Sequence, residues 1–472
     1  MAYVAYVTTL KNLRKHPNAD RLQLAECFGN TVCVSMEYVA DQVGVYFPTD
    51  GQLSIEFCEQ NGLLAVYVDG VNVSGGYMDA EKRNVKTIKL RGEKSDGLFL
   101  PLTCLAYTGV DIDTIKVGDT ISVVNGHEIC TKYIPKRNHK SHSNTSEGNR
   151  TRKKKVPVAP LFAEHADTEQ LAYNLSAFKP GDLVEITLKM HGTSQRTANL
   201  PRFDGYKRTL MDRILRREGV AQYNWGSVSG TRRVVLADFD GGYYGSNEFR
   251  EQHSKFFDGK LHKGETVYYE VVGFTTNGTP IMGDADNKKL NDKEFVKQYG
   301  KTTTFSYGCS PDGKKTFYGH DDQGNFEITK DVPQSDIYVY RMTMTNEDGD
   351  VVEYTPDFMR YRCEQMGVKT VPVFARFIIP EFYQLPDDVG SPQAVDAGEY
   401  VRKIAEDFYD GPDPIGKTHV REGVVVRIIN RPKFCAYKHK NFSFKVLEGI
   451  IKEVADAPDM EEAQDVADNG EE

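Results

Sequence analysis

Val184-Glu-Ile-Thr-Leu-Lys-Met-His-Gly-Thr-Ser194 is an apolar run that ends on a lysine and passes directly into a turn of small residues. The run predicts a strand with Lys189 at its end. Gly192, Thr193 and Ser194 then let backbone and hydroxyl groups come close to a ligand. A strand that stops on a lysine beside such a turn delivers an amine into a pocket.

Three other segments extend this reading. Val267-Tyr-Tyr-Glu-Val-Val-Gly-Phe274 carries Glu270 inside an otherwise apolar strand, and Arg421-Glu-Gly-Val-Val-Val-Arg427 opens another with Glu422. Ala436-Tyr-Lys-His-Lys-Asn-Phe-Ser-Phe444 sets Lys438 and Lys440 two apart, which in a strand puts both ammonium groups on one face. A nucleophile, two strand-borne carboxylates and a lysine pair together point to a phosphate-and-metal site.

Outward from these segments, residues 159–450 read as a mixed domain. Strand-like runs (Leu183–Leu188, Val267–Val272, Ile337–Met342, Gly423–Ile429) alternate with helices predicted over Leu210–Arg217, Asp357–Gln365 and Glu399–Tyr409. Residues 275–332, rich in Gly, Asn, Asp and Lys, read as an insertion of irregular structure or a small hairpin. Residues 1–127 are β-rich, with short runs at Val4–Thr8, Thr31–Ser35, Gly44–Phe47, Leu64–Val68 and Thr87–Leu90 that fit a small barrel. Residues 128–158 read as a basic flexible linker and 451–472 as an acidic disordered tail.

The formal net charge of −9 argues against a simple nucleic-acid coating protein, but charge here is segregated. Lys132 to Lys155 carries nine Lys/Arg against Glu147 alone, and Glu453 to Glu472 carries nine Asp/Glu and no Lys or Arg. Both runs read as solvated chain, and the basic one is also able to touch phosphates. The eight scattered cysteines form no C-x-x-C pair, so no zinc site or disulfide framework is expected and a reducing cytoplasm is the simplest setting. No run of about 18 apolar residues exists, so no membrane span is expected, and the start of the chain lacks the pattern of a secretory signal.

The ordered segments resemble the covalent nucleotidyltransferases, meaning polynucleotide ligases and mRNA capping enzymes. Lys189-Met190-His191-Gly192 is similar to their first motif, in the His form of RNA ligases that seal nicks in duplex RNA. Tyr269-Glu270-Val271-Val272-Gly273 is similar to the third motif, and Ile337-Tyr-Val-Tyr-Arg-Met342 to the next, whose aromatic ring stacks on adenine. Glu422-Gly423 resembles the fourth and Lys438-His439-Lys440 the fifth, while Ser229-Gly-Thr-Arg-Arg233 resembles a segment that supplies an arginine to phosphate. The N-terminal His16–Leu24, Val45–Asp50 and Thr87–Leu98 stretches look like the OB domain of Naegleria-type RNA ligases. Ser194, where many relatives carry Asn, and a tyrosine in place of the commoner Phe are departures from the pattern.

The resemblance implies an α+β chain: an OB-like β-barrel followed by a ligase-type adenylyltransferase domain, unrelated to ATP-grasp folds, with antiparallel sheets and flanking helices. The activity it implies is that of an ATP-dependent RNA ligase. Lys189 would carry AMP, Lys438 and Lys440 would hold the α-phosphate, and Arg232 or Arg233 would contact phosphate. His191 would orient the leaving pyrophosphate or bond within its own turn. Gly192, Thr193, Ser194 and either Tyr340 or Tyr338 would line the nucleotide site, and Glu270 and Glu422 would hold the metal. The lysine must attack as the neutral amine, a form that nearby cations favour. The partner would be RNA with 5′-phosphate and 3′-hydroxyl ends, acted on by a monomer. A DNA ligase, a capping enzyme and a catalytically inactive nucleic-acid-binding relative are the alternatives.

Overall fold

A computed structural model describes residues 3–69, 71–133, 157–166, 168–215, 217, 219–236, 239, 244, 247–318, 326–383 and 393–453. Most of the basic run and all of the acidic tail beyond 453 lie outside these residues. The chain forms two compact units. Of the described residues, one holds those of 1–137, Lys289–Asn291 and 445–453, and the other holds the rest.

In the N-terminal unit, Ala5–Thr9 and Val43–Phe47 pair antiparallel at the centre of a four-stranded sheet flanked by Leu98–Pro101 and Thr120–Ile121. Lys11–Lys15, Leu22–Cys27 and Asn30–Ser35 form a three-stranded antiparallel sheet. Alternate residues Ala5, Val7, Val45 and Phe47 enter a core shared with Leu53, Phe57, Leu105 and Ile129. Cys130–Lys132 pairs with Gly51–Leu53. Among the described residues no sheet closes into a barrel. The strand expected over Leu64–Val68 is only Tyr67–Val68, in a short hairpin with Val71–Asn72, because its side chains there find no core and stay exposed.

The second unit is built on two antiparallel-dominated sheets. One comprises β1 (Glu169–Gln170), β2 (Leu183–Lys189), β9 (Val373–Ile378), β10 (Gly423–Ile428) and β11 (Ala436–Lys440), in the order β1-β11-β10-β2-β9. The other comprises β3 (Thr193–Lys207), β4 (Val220–Gly230), β5 (Val235–Leu236), β6 (Glu265–Gly273), β7 (Ser335–Thr345) and β8 (Val351–Glu353), in the order β5-β4-β3-β6-β7-β8. β6 is buried at every position, as befits a central strand.

Period-two alternation sorts the first sheet. Val184 and Ile186 of β2, with Val424, Val426 and Ile428 of β10, pack with Val401 and Ala405 of helix α2 (Ala397–Tyr409). The opposite face is therefore left to Glu185, Thr187 and Lys189. Helix α1 (Pro356–Met366) begins at the Thr355 cap with proline in its first turn and ends on Gly367 in the left-handed region. The helix expected over Leu210–Arg217 is a single five-residue turn, Leu210–Ile214, opened by a Thr209–Asp212 capping box, and its apolar side chains find no core to bury them.

Residues 275–318 contribute buried side chains, including Ile281, Phe305 and Tyr307, and a helix at Lys293–Tyr299. A hairpin joins Lys314–Tyr318 to Glu327–Asp331. All eight cysteines are free. Among the described residues, no helix is long and apolar enough to cross a membrane.

Candidate active site

Strand register brings three rows of residues onto one face of the first sheet. Lys189 pairs with Gly423 and Gly423 with Lys440; Thr187 pairs with Val425 and Val425 with Lys438; Glu185 pairs with Arg427 and Arg427 with Ala436. Residues paired across antiparallel strands point to the same side. The amine of Lys189 therefore shares a row with Lys440 and lies one row from Lys438.

Glycine in the middle of the first row is required. A Cβ on Gly423, whose φ is +148°, would stand 2.1 Å from the His439 carbonyl oxygen. With no side chain there, the lysines on either side converge. Lys189 Nζ lies 2.9 Å and Lys440 Nζ 3.2 Å from Glu422 Oε1, and His191 Nδ1 lies 3.6 Å from Oε2. Glu422 is only 2% exposed. Burial works to raise its carboxyl, but Lys189, Lys440 and His191 override burial and hold it well below the usual carboxylate range.

The second sheet approaches through the turn after Lys189. A Cβ on Gly192 would stand 2.4 Å from the Val271 carbonyl and 2.9 Å from Glu270 Cγ, so only glycine lets the turn lie against β6. Ser194 is the register partner of Glu270. Between the sheets is a cavity of about 110 Å³ whose walls include Lys189, Ser194, Arg232, Glu270, Tyr340 and Val425.

A bulge in β7 falls at one of its two tyrosines. Tyr268 pairs with Arg341 and Tyr269 with Val339, so Tyr340 is the extra residue. It lines the cavity, and its hydroxyl lies 3.0 Å from Ser194 Oγ. Tyr338 instead donates to Asp336 Oδ2 at 3.2 Å. Arg232 likewise lines the cavity, whereas Arg233 is exposed outside it.

Two residues of the turn do not line the cavity. Thr193 is fully buried and its hydroxyl accepts from Arg250 Nη2 at 2.6 Å. The His191 ring packs edge-on against Phe305 and Phe444, with centroids at 4.6 and 4.7 Å, and its backbone N–H donates to the Tyr307 hydroxyl at 2.7 Å. Burial holds the Tyr307 phenol protonated, well above its ordinary range. The segment at 305–307 thus clamps the turn that carries the lysine.

The further cavity residues outside the resembling motifs include His165, Glu185, Arg360 and Phe434. Arg360 holds Glu185 through two bonds of 2.9 and 3.1 Å. The His165 ring stands 5.4 Å from Tyr340, and Phe434 lies under the guanidinium groups of Arg341 and Arg427 at 4.4 and 4.9 Å. The alternation that turns Lys189 to the cavity also turns Glu185, four residues earlier, to the same side, so that buried residue carried a signal. His165, Arg360 and Phe434 reach the cavity only through tertiary packing.

Among the described residues no three His, Cys, Asp or Glu side chains group as a metal cage. Glu270 and Glu422 instead suit a hard divalent ion that takes its remaining ligands from phosphate and water. Glu422 Oε2 is buried and makes no hydrogen bond shorter than its 3.6 Å approach to His191 Nδ1.

No protein-family model matches the chain, and no curated protein matches it. Solved structures do. A Naegleria gruberi RNA ligase mutant with AMP and Mn aligns over 93% of this chain and 97% of its own, with a TM-score of 0.50 and 15% identity. A ligand-free mutant of the Naegleria gruberi ligase aligns over the same shares with a TM-score of 0.51 and 16% identity. This chain has an RNA ligase fold. The RNA ligase likeness spans both units, and it is one of mixed α and β structure with antiparallel sheets and few helices.

Proposed function

We propose that the chain is an ATP-dependent RNA ligase that joins 5′-phosphate to 3′-hydroxyl ends through AMP carried on Lys189. The observation that carries this reading is the convergence of Lys189 and Lys440 on buried Glu422 beside a cavity walled by Glu270 and Tyr340.

In the first step the neutral Lys189 amine attacks the α-phosphorus of ATP. A P–N bond forms, the bond to the bridging oxygen breaks, and pyrophosphate leaves with its electron pair. The amine proton is released. In the second step an oxygen of an RNA 5′-phosphate displaces Lys189, giving adenylylated RNA. In the third a 3′-hydroxyl attacks that phosphate, losing its proton, and AMP departs as the phosphodiester forms.

The cavity is smaller than a typical small-molecule pocket and suits a nucleobase better than a whole nucleotide. Tyr340 from one sheet and Val425 from the other would flank the adenine. The triphosphate would then run toward Lys189, Lys440 and Lys438, with Arg232 beside it. Thr193 and His191 would act by shaping the turn, given the bonds they make to Arg250 and Tyr307. Glu270 and Glu422 would hold Mg²⁺ or Mn²⁺, which when bound neutralises charge on the phosphates. The attacking amine begins as the counter-ion of Glu422, so nucleotide binding has to draw these two apart before Lys189 is free to attack. The N-terminal unit would be the OB-like module that contacts RNA.

The test is sealing of a nicked RNA duplex with 5′-phosphate and 3′-hydroxyl termini, with ATP and Mg²⁺. Joined product that depends on ATP and on the 5′-phosphate supports the reading. Folded protein that joins nicked DNA but not RNA, or uses only GTP, contradicts it.

A further inference from the structure

A second concave site lies wholly within the N-terminal unit. It has a volume of about 470 Å³, and its walls include Lys86, Lys89, Arg91 and Lys289. No carboxylate is among its lining residues. A chain with a net charge of −9 has thus gathered four cations around one basin.

The frame beneath these cations is fixed at several points. Arg91 and Gly92 turn a tight hairpin, with φ of 47° and 96°, between Thr87–Leu90 and Glu93–Asp96. The His16-Pro-Asn loop braces it from behind: His16 Nε2 lies 3.1 Å from the Leu90 carbonyl, and Asn18 Nδ2 donates to the Arg91 carbonyl at 3.0 Å. Lys289 is carried by a separate segment anchored through Leu290, which is 3% exposed. The wall closes on Val446 and Gly449 of the C-terminal helix. Three stretches of chain, distant in sequence, therefore meet around one positive basin.

We infer that this basin docks the sugar–phosphate backbone of an RNA strand, an assignment that rests on the ligase reading for its substrate class. Four cations spread around a basin of this size suit several linked phosphates better than one small anion. Long Lys and Arg side chains on a rigid frame follow a backbone without reading its bases. Ile88, 37% exposed on the same rim, offers an apolar surface to a ribose or base. The basin gives Lys289, from the stretch read as an insertion, a place in substrate binding.

The test is fluorescence anisotropy of a short labelled single-stranded RNA over a series of KCl concentrations, with the full chain and its Lys86→Glu/Lys89→Glu/Lys289→Glu variant. The variant should bind at least tenfold more weakly at low salt, with a salt slope shallower by about 0.7 for each phosphate that is no longer neutralised. Labelling of Lys189 with α-labelled ATP should be unchanged, since none of the three lines the Lys189 cavity. Lys289→Glu alone, at an exposed position, should move affinity and slope the same way by less, which guards against a misfolded triple variant. Unchanged affinity and slope in both variants overturn the inference while leaving the ligase reading intact. Equal loss of binding on adding inorganic phosphate at constant ionic strength would mark a single-anion site and also overturn it. RNA binding that behaves as expected in a protein that never adenylylates would instead defeat the ligase reading alone.

Discussion

Lys189 and Lys440 meet on one oxygen, Glu422 Oε1, at 2.9 and 3.2 Å. Two ammonium groups drawn to one buried carboxylate form an arrangement that seldom repays its desolvation in stability. In the proposed reaction its value is chemical: Lys189 would become neutral and attack, and Lys440 would stay charged and hold phosphate.

Removing the shared carboxylate leaves two cations facing a buried amide. Glu422→Gln is expected to lower stability by about 3–5 kcal/mol, the usual cost of breaking a buried pair from one side, read from denaturant unfolding. It should also abolish adenylylation. Retained stability with retained adduct would show that the carboxylate is dispensable.

The same residue sets a pH dependence. The folded-state Glu422 carboxyl lies well below its ordinary value, so its contribution is fully present above the unfolded value of about 4.3 and fades as pH falls toward the folded value. Wild type should therefore lose stability on acidification below about pH 4.3 more steeply than Glu422→Gln. Parallel acid-unfolding curves for the two proteins would contradict the assignment.

Tyr340→Ala should weaken nucleotide binding by about 1–3 kcal/mol, the range for loss of a base–aromatic stack. Tyr340→Phe keeps the ring and gives up only the hydrogen bond with Ser194 Oγ, so it should cost about 1 kcal/mol or less. Calorimetric titration with ATP on a Lys189→Ala background separates binding from chemistry. Equal effects of the two substitutions would exclude stacking.

Tyr307→Phe removes the acceptor of the buried His191 N–H. The expected cost is about 1–3 kcal/mol, that of an unsatisfied buried donor. If the clamp positions Lys189, the adenylylation rate at saturating ATP should fall several-fold while the ATP concentration at half-saturation changes little. An unchanged rate would reduce Tyr307 to a packing residue.

The alternation of β2 was readable because its two faces meet different surroundings: Val184 and Ile186 enter the core, while Thr187 and Lys189 turn to the cavity. Pairing between strands was not readable, yet it decides that Lys440 shares a row with Lys189 and meets Glu422. That Tyr340 and not Tyr338 lines the cavity depends on packing around a bulge, which two equivalent tyrosines in a run cannot announce. Phe305 and Tyr307 were hidden by the polar composition around them, and their burial depends on partners such as His191 more than a hundred residues away. In the N-terminal unit, the runs at Ala5–Thr9 and Val43–Phe47 fall where apolar alternation predicts strands, but sheet closure depends on edge pairing that no local pattern encodes.

Covalent capture of AMP by one amine is the step on which the proposed ligase chemistry depends. Purified protein incubated with α-labelled ATP and Mg²⁺, then denatured and digested, should yield a single acid-stable labelled peptide with AMP on Lys189, and Lys189→Ala should yield none. Folded wild-type protein that takes up no label, or label carried on a different residue, would contradict it.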